Sequence, residues 1–155
     1  MTVSVGDMIP DLELAATGDD AQLRLRDLVG QKVVLYFYPK DNTPGCTQEG
    51  QDFAALEDEF RAHGARILGI SRDTVRKHEN FRSKYGFGFT LLADVDEAAC
   101  SAFDVMREKN MYGKKVRGIE RSTFLFDSEG RLAREWRKTK VDGHAAEVLE
   151  AVKAL

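Results

Sequence analysis

The chain has 155 residues, 43% of them hydrophobic, and its 26 acidic and 23 basic residues give a formal net charge of −3. A chain of this length can form one domain over residues 1–155, and its charges form no basic block of the kind that binds nucleic acid or an anionic membrane. There is no apolar run of membrane-spanning length and no secretory signal pattern, so a cytoplasmic protein with a small-molecule partner is expected.

Two short alternating segments open the chain. Leu12 and Leu14 alternate with polar residues, and Leu23 and Leu25 do so again. This period of two predicts two half-buried strands, joined by a turn over 17–20 that is rich in glycine and aspartate.

A continuous apolar run over 33–38 predicts a central strand that is buried on both faces. The loop PKDNTPGC follows, and apolar residues then recur at helical spacing, which predicts a helix over about 44–63. Thr43 suits the N-cap of this helix and Pro44 suits its first position. Cys46 therefore falls in the first helical turn.

The rest of the chain alternates between strand and helix patterns. We predict strands over 67–70, 89–93, 123–126 and 132–136, a hairpin turn over 127–130, and helices over 74–85, 97–103 and 143–152. Strands that alternate with helices, followed by a hairpin and a closing helix, indicate an α/β fold with a mixed central sheet flanked by helices. The first two strands form an N-terminal extension of that sheet.

Cys46 is the residue best placed for chemistry. A thiol attacks an electrophile as its thiolate, and the free amide groups at a helix N-terminus stabilise that anion. The residue also follows a loop at the carboxyl end of a buried strand, where open α/β sheets place their sites. The alternative is a buried small hydrophobic residue, which is the usual state of a free cysteine.

The loop before this helix carries the pattern of a known family. Residues 39–46 match proline, three residues, threonine, two residues, cysteine without departure. Together with FTLLAD at 89–94 and MYGKKVRGIERSTFLFD at 111–127, they make the chain resemble the peroxiredoxins, in particular the bacterioferritin comigratory protein or Q-type branch. The resemblance implies a thioredoxin-like fold and a thiol peroxidase that reduces hydrogen peroxide and organic hydroperoxides through a sulfenic acid at Cys46.

The same resemblance implies roles for the residues around this thiol. Thr43 would hydrogen-bond the peroxide, the Cys46 amide would hold one of its oxygens, and Pro39 would shield the sulfur from water. Arg121 would favour the thiolate and donate to the peroxide oxygens, in an orientation set by Glu49. From the residues alone, Arg121 also fits a surface ion pair, and Glu49 also fits a surface position near the first turn, where its charge favours the helix dipole.

A sulfenic acid must be reduced before further peroxide oxidises it irreversibly. In the resembled branch, the second cysteine lies five residues after the first or in the following helix, and those positions are Gln51 and Arg82 here. Cys100 has small apolar neighbours, which indicate a packing residue. We therefore predict a one-cysteine cycle with an external thiol reductant such as thioredoxin, glutaredoxin or a small thiol. A two-cysteine cycle through Cys100 is the alternative.

Other functions have weaker support. His63, His78 and His144 lack metal-ligand spacing with one another or with the cysteines, and no glycine-rich phosphate loop is present, so neither a metal nor a cofactor is expected. Thiol–disulfide exchange is an alternative activity for such a fold, but it needs a second cysteine at position 43, where this chain has threonine. A non-catalytic redox sensor or a holdase chaperone that uses Cys46 stays open. A monomer is expected, with a weak dimer as the alternative.

Overall fold

A computed structural model describes residues 2–19 and 21–155. The strands of this part of the chain are β1 (Glu13–Ala16), β2 (Gln22–Arg24), β3 (Lys32–Phe37), β4 (Ala65–Ser71), β5 (Thr90–Ala93), β6 (Met106–Met111), β7 (Lys114–Ile119), β8 (Ser122–Phe126) and β9 (Leu132–Arg137). The helices are α1 (Pro44–Ala62), α2 (Val75–Tyr85), α3 (Ala98–Phe103) and α4 (His144–Lys153), with a 3-10 helix at Leu25–Leu28.

Seven of these strands form one mixed sheet in the order β2-β1-β5-β4-β3-β8-β9. Strands β3, β4 and β5 are parallel to one another, whereas β8 and β9 continue the sheet in antiparallel fashion. The β1–β2 hairpin pairs with β5 at the opposite edge. The α/β fold, the mixed sheet and the N-terminal extension are therefore confirmed, and the predicted element boundaries agree to within one or two residues.

The N-terminal segments differ from the prediction in one respect. Leu23 lies in β2, but Leu25 begins the 3-10 helix, where it is fully buried. Two apolar residues separated by one polar residue fit a continuous strand, but they fit equally well when the strand ends between them. The prediction that Leu25 belongs to the strand is therefore wrong. The predicted turn over 17–20 includes Asp20, which lies outside the described residues.

The β6–β7 hairpin, residues 106–119, was not predicted from the sequence. It forms a separate two-stranded sheet in which most side chains of both strands are exposed. Strand patterns become visible when one face is buried, and this hairpin buries little on either face. Its turn, Tyr112 and Gly113, has φ of 53° and 78°, the left-handed geometry that joins tight hairpins.

Two apolar clusters cover the two faces of the seven-stranded sheet. Because side chains alternate along a strand, neighbouring residues of β3 enter different clusters. Leu35 packs in the cluster that contains Cys100, and Tyr36 packs in the cluster that contains Cys46. Helices α1, α2 and α4 cover the face with Cys46, whereas α3 covers the face with Cys100. Across residues 2–19 and 21–155, the structure has no helix with both the length and the apolarity needed to traverse a lipid bilayer.

Candidate active site

Cys46 lies where the central strand passes into its helix. Thr43 is the N-cap of α1, with φ −91° and ψ 156°, and Pro44 is the first helical residue. The first helical hydrogen bond runs from the Thr47 amide to the Thr43 carbonyl at 2.8 Å. The amide of Cys46 precedes that bond, so helix geometry leaves it free to donate to a ligand.

The sulfur of Cys46 is buried and next to a cation. The residue is 1% exposed, as the interpretation of a small packing residue requires, but its Sγ lies 3.4 Å from Nη2 of Arg121. A guanidinium has a permanent positive charge and donates hydrogen bonds. The structure therefore places Cys46 in contact with a positive charge as well as with the apolar core.

Glu49 holds the other side of that guanidinium. Its Oε1 accepts a hydrogen bond from Nη1 of Arg121 at 2.6 Å, and the two side chains are 1% and 16% exposed. Glu49 is the sixth residue of α1 and lies in its second turn, so the interpretation of Glu49 as a surface charge near the first turn is wrong. Arg121 is likewise not part of a surface ion pair, because its partner is fully enclosed.

The charges of this pair depend on their burial. Burial raises the pKa of Glu49 to about 7, and the charge and hydrogen bond of Arg121 oppose that rise. Burial disfavours the charged form of Arg121, but the negative charges of Glu49 and Cys46 outweigh it and raise the pKa of Arg121. Among the described residues, Glu49 Oε2 is buried without a hydrogen-bond partner. A proton can therefore reside on Glu49 near neutral pH while Arg121 stays charged.

Gly45 allows the guanidinium to reach the helix start. A Cβ atom at this position would lie 3.2 Å from Arg121 Nη2, which is tighter than ordinary van der Waals contact. The same nitrogen contacts Cys46 Sγ, so a side chain at position 45 would compete with the sulfur for space. Arg121 lies between β7 and β8, far from Gly45 in the chain, so this close approach could not be read from the sequence.

Thr43 and Pro39 lie on the loop that precedes the helix. The Thr43 hydroxyl donates to the Lys40 carbonyl at 2.9 Å rather than capping the helix, and its side chain is half-buried. Because its proton is engaged, the Thr43 oxygen is left with lone pairs that accept a hydrogen bond. Pro39 is half-buried directly after Tyr38 at the end of the strand segment.

Tyr36 lies in the same apolar cluster as Cys46, and it was not identified from the sequence as part of the site. It is fully buried in β3, its hydroxyl has no partner among the described residues, and its ring stacks on Phe53 at 4.6 Å between centroids. Burial raises the pKa of Tyr36 well above its usual value, and the charges of Glu49 and Cys46 add to that rise. A hydroxyl within an otherwise apolar strand run was the available signal.

A second polar network lies beside the loop. Tyr38 Oη donates to Asp41 Oδ1 at 2.6 Å, and Asp41 Oδ2 lies 2.6 Å from His78 Nδ1. His78 Nε2 lies 2.9 Å from the Leu92 carbonyl, so this nitrogen is the donor. The network ties α2 and β5 to the loop that carries the site.

Metal-binding geometry can be tested in the same place. Asp41, Asp73 and His78 bring possible ligand atoms within 4.8 Å of one another. Both ring nitrogens of His78 already bind protein groups, and Asp73 Oδ2 accepts from the Asp41 amide at 2.8 Å and from Ser71 Oγ at 2.7 Å. The arrangement is explained by its internal hydrogen bonds. Sequence spacing did not reveal it, because Asp41 follows β3 whereas Asp73 follows β4 and His78 lies in α2.

Cys100 lies on the other face of the sheet. It is fully buried in α3, and its amide donates to Asp94 Oδ2 at 2.7 Å. Burial raises the pKa of the Cys100 thiol strongly, and the neighbouring Asp94 raises it further. A thiol in these surroundings stays protonated and is a poor nucleophile. The structure thus separates Cys100 from Cys46, Arg121 and Glu49.

Comparison with known families gives an independent line of evidence. Residues 5–135 match the AhpC/TSA family. Peroxiredoxin Bcp of Xanthomonas campestris is 59% identical over 144 residues, which cover 93% of this chain and 89% of that protein. Peroxiredoxin Bcp of Bacillus subtilis is 48% identical over 154 residues, which cover 99% of this chain and 97% of that protein.

Solved structures agree with these relatives. A structure of Xanthomonas campestris peroxiredoxin Q has a TM-score of 0.88 and 59% identity, and the match covers 93% of this chain and 90% of that one. A PrxQ mutant of Xylella fastidiosa has a TM-score of 0.92 and 44% identity, with coverage of 99% and 98%. The Xanthomonas campestris bacterioferritin comigratory protein was solved in a study of its alkyl peroxide reduction activity, and it is 58% identical to this chain with a TM-score of 0.88 over 93% of this chain and 91% of that one.

Three observations lead to one conclusion: the cysteine at a helix start beside a guanidinium, the mixed α/β sheet, and the relatives that match nearly the whole chain. The thioredoxin-like fold expected from the sequence is confirmed by these neighbours. The chain belongs to the AhpC/TSA family, in its peroxiredoxin Bcp or Q branch, and is a thiol-dependent peroxidase.

Proposed function

We propose that this protein reduces hydrogen peroxide and alkyl hydroperoxides at Cys46 in a one-cysteine cycle that an external thiol completes. The observation that carries the proposal is the 3.4 Å contact between Cys46 Sγ and Arg121 Nη2 at the N-terminus of α1. This contact joins a nucleophile to the cation that both stabilises its anion and can donate to a bound peroxide. The alkyl peroxide activity of the Xanthomonas campestris relative supports the choice of substrates.

The oxidation step follows from where negative charge moves. The Cys46 thiolate attacks the peroxide oxygen that carries the hydrogen, and the S–O bond of the sulfenic acid forms as the O–O bond breaks. Alkoxide or hydroxide leaves and takes a proton from water to become alcohol or water. Negative charge spreads from sulfur across two oxygens, so donors along that line lower the barrier. Arg121 and the Cys46 amide are the hydrogen-bond donors, and the Thr43 oxygen accepts a hydrogen bond from the O–H group of the peroxide. Pro39 is proposed to limit access of water to the sulfur.

The geometry of Thr43 makes its part testable. Thr43→Ser keeps the oxygen that accepts from the peroxide, whereas Thr43→Val keeps the shape and loses the oxygen. We expect the serine variant to retain most of the rate of Cys46 oxidation and the valine variant to lose about 10- to 100-fold, measured by stopped-flow mixing with peroxide. Equal rates in the two variants would remove Thr43 from the proposed site.

The reduction step requires a thiol from outside the chain. A thiol attacks the sulfenic sulfur of Cys46, a mixed disulfide forms and water leaves, and a second thiol then releases the reduced enzyme. Cys100 is a weak candidate for the first attack, because it lies across the sheet in a cluster that does not contain Cys46. Thioredoxin, glutaredoxin and small thiols are the proposed reductants. The two-cysteine cycle through Cys100 is the alternative.

The remaining features of the proposal concern the whole protein. We place residues 1–155 in one domain, since both apolar clusters lie on the two faces of a single sheet. We also propose that the chain acts as a monomer in the cytoplasm without a metal or cofactor. A weak dimer is the alternative to the monomer.

Turnover with dithiothreitol tests the function directly. The wild-type chain should consume hydrogen peroxide and an alkyl hydroperoxide over many turnovers, and Cys46→Ser should consume neither. Mass spectrometry after one equivalent of peroxide should find a sulfenic acid at Cys46. A disulfide between Cys46 and Cys100 within one chain would replace the one-cysteine cycle by the two-cysteine cycle. Wild-type protein that is oxidised once and never recycled would favour the redox sensor or holdase chaperone.

A further inference from the structure

We infer that the β6–β7 hairpin, residues 106–119, is the docking arm for the protein that reduces Cys46, and that this partner has an acidic surface around its thiol. The inference rests on the proposed external thiol reductant and names where that reductant binds. Three observations support it: the exposure of the hairpin tip, the charge of the hairpin and its position relative to Arg121.

The hairpin exposes large apolar side chains to solvent at and near its tip. Tyr112 is 101% exposed, Met111 is 56% exposed and Val116 is 40% exposed. Tyr112 also has φ of 53°, a left-handed conformation that glycine and asparagine adopt readily and a bulky residue adopts at a cost. The tight hairpin turn requires this backbone conformation, but no contact within the described chain covers the tyrosine ring. An exposed aromatic ring at a turn position that disfavours bulky residues is available for binding a partner.

The hairpin is cationic although the chain is acidic. Residues 106–119 contain five cationic residues and one acidic residue, hence +4, in a chain whose formal net charge is −3. Arg107 and Arg117 form ion pairs at the hairpin base. Within the described residues, no ion pair engages Lys109, Lys114 or Lys115. A partner that complements this charge is acidic, and complementary charge raises the rate of encounter.

The position of the hairpin selects a thiol protein over other acidic molecules. Strand β7 ends at Ile119, two residues before Arg121, whose guanidinium contacts Cys46 Sγ. By the rise of a strand, Tyr112 at the tip lies no more than about 31 Å along the backbone from Arg121. A partner of about 100 residues has a radius of gyration of roughly 13 Å, so one molecule can cover the tip and still reach Cys46. Nucleic acid would use the same charge but brings no thiol to the sulfenic acid.

The test compares a protein reductant with a small thiol in the same assay. The probes are an acidic thioredoxin with its reductase and NADPH, an acidic glutaredoxin with glutathione, and dithiothreitol. Two variants change the arm. Lys114→Glu with Lys115→Glu reverses the charge at two positions and takes the formal charge of the arm from +4 to zero, and Tyr112→Asn removes the ring while suiting the left-handed turn. Arg61→Glu with Lys153→Glu makes the same change of net charge at the far, C-terminal ends of α1 and α4.

We expect each arm variant to raise the KM for the protein reductant that serves the wild type by about tenfold or more, with kcat for dithiothreitol unchanged. The control variant should leave both values unchanged, and added salt should raise the KM of the wild type toward that of the charge-reversed arm. The same KM in wild type and arm variants, or the same rise in the control, overturns the inference. Turnover with dithiothreitol but with neither protein reductant also overturns it and leaves the peroxidase function intact.

Two further outcomes have defined meanings. No turnover with any of the three reductants removes the proposed function and the docking arm with it. Binding of a labelled oligonucleotide that is lost on charge reversal, while the KM for the protein reductant stays constant, assigns the arm to nucleic acid and overturns the inference.

Discussion

The guanidinium of Arg121 donates to the Glu49 carboxylate at 2.6 Å with one nitrogen and lies 3.4 Å from the Cys46 sulfur with the other. One cation thus serves two buried groups that can each carry a negative charge. This sharing links the reactivity of the thiol to the protonation of a carboxyl group that sits one helical turn further along α1.

Two substitutions of Arg121 distinguish the effect of its charge from the effect of its forked guanidinium group. Arg121→Ala should slow oxidation of Cys46 by about 100- to 1,000-fold, which is the usual cost of losing a donor that stabilises transition-state charge. Arg121→Lys keeps the charge but cannot bridge Glu49 and the sulfur at once, so its loss should be smaller yet clear. Stopped-flow mixing of the reduced protein with hydrogen peroxide measures the rate. A wild-type rate in Arg121→Ala would exclude the guanidinium from the reaction.

The pKa of Glu49 predicts a specific dependence of stability on pH. In the folded protein this pKa is raised from 4.5 to about 7, so between these values the folded protein holds a proton that the unfolded chain releases. The contribution of Glu49 to the free energy of unfolding should therefore fall as the pH rises through this window, by roughly 3 kcal/mol at most.

Denaturation with urea at pH 4.5, 6 and 8 measures this effect in wild type and Glu49→Gln. The glutamine cannot titrate, so the difference between the two proteins should change across the window. Glu150→Gln changes a carboxyl group that is 72% exposed and should track the wild type. Parallel pH profiles for wild type and Glu49→Gln would contradict the raised pKa.

Gly45→Ala tests the close approach of Arg121. The new Cβ would lie 3.2 Å from Arg121 Nη2, so the guanidinium must move away from the helix start. The required shift is a few tenths of an ångström, so we expect a folded protein with a slower reaction, by less than the roughly 100-fold that a displacement of about 1 Å can cost. Gly118→Ala is the control, because a Cβ there meets no atom within 4 Å. Equal oxidation rates in the two variants would show that position 45 tolerates a side chain.

Cys100→Ala tests the packing role of the second cysteine. The side chain is fully buried, so its loss should lower the free energy of unfolding by about 1 kcal/mol. Peroxide turnover with dithiothreitol should stay at the wild-type level, since this thiol lies outside the Cys46 cluster. Denaturant titration and the peroxidase assay check the two statements separately. A loss of turnover with unchanged stability would point to a chemical role.

Sequence reasoning worked where a local pattern has a local cause. The start of α1 could be predicted because Thr43 and Pro44 occupy the N-cap and first helical positions, where these residue types are favoured, although the Thr43 hydroxyl bonds the Lys40 carbonyl. The apolar run of β3 and the helical spacing after it placed Cys46 correctly at the junction of strand and helix. These features need no knowledge of the remaining chain.

Contacts between distant residues could not be worked out in this way. Arg121 and Glu49 are 72 positions apart, and only the family resemblance brought them together before the fold was known. Glu49 is buried because α1 packs against the sheet. A glutamate is usually exposed, so its residue type alone predicts the opposite. The β6–β7 hairpin was not predicted for the opposite reason: it buries too few side chains to produce an alternating apolar pattern.

The position of the seven-stranded sheet between the two cysteines has a consequence for engineering. Residues on the Cys100 face can be repacked to raise thermal stability without touching the groups that meet the oxidant, because the backbone of β3 stands between them. Changes on the other face affect both properties at once, since the side chains that pack around Cys46 also hold α1 in place. Stabilising libraries for this protein should therefore be drawn from one side of the sheet only.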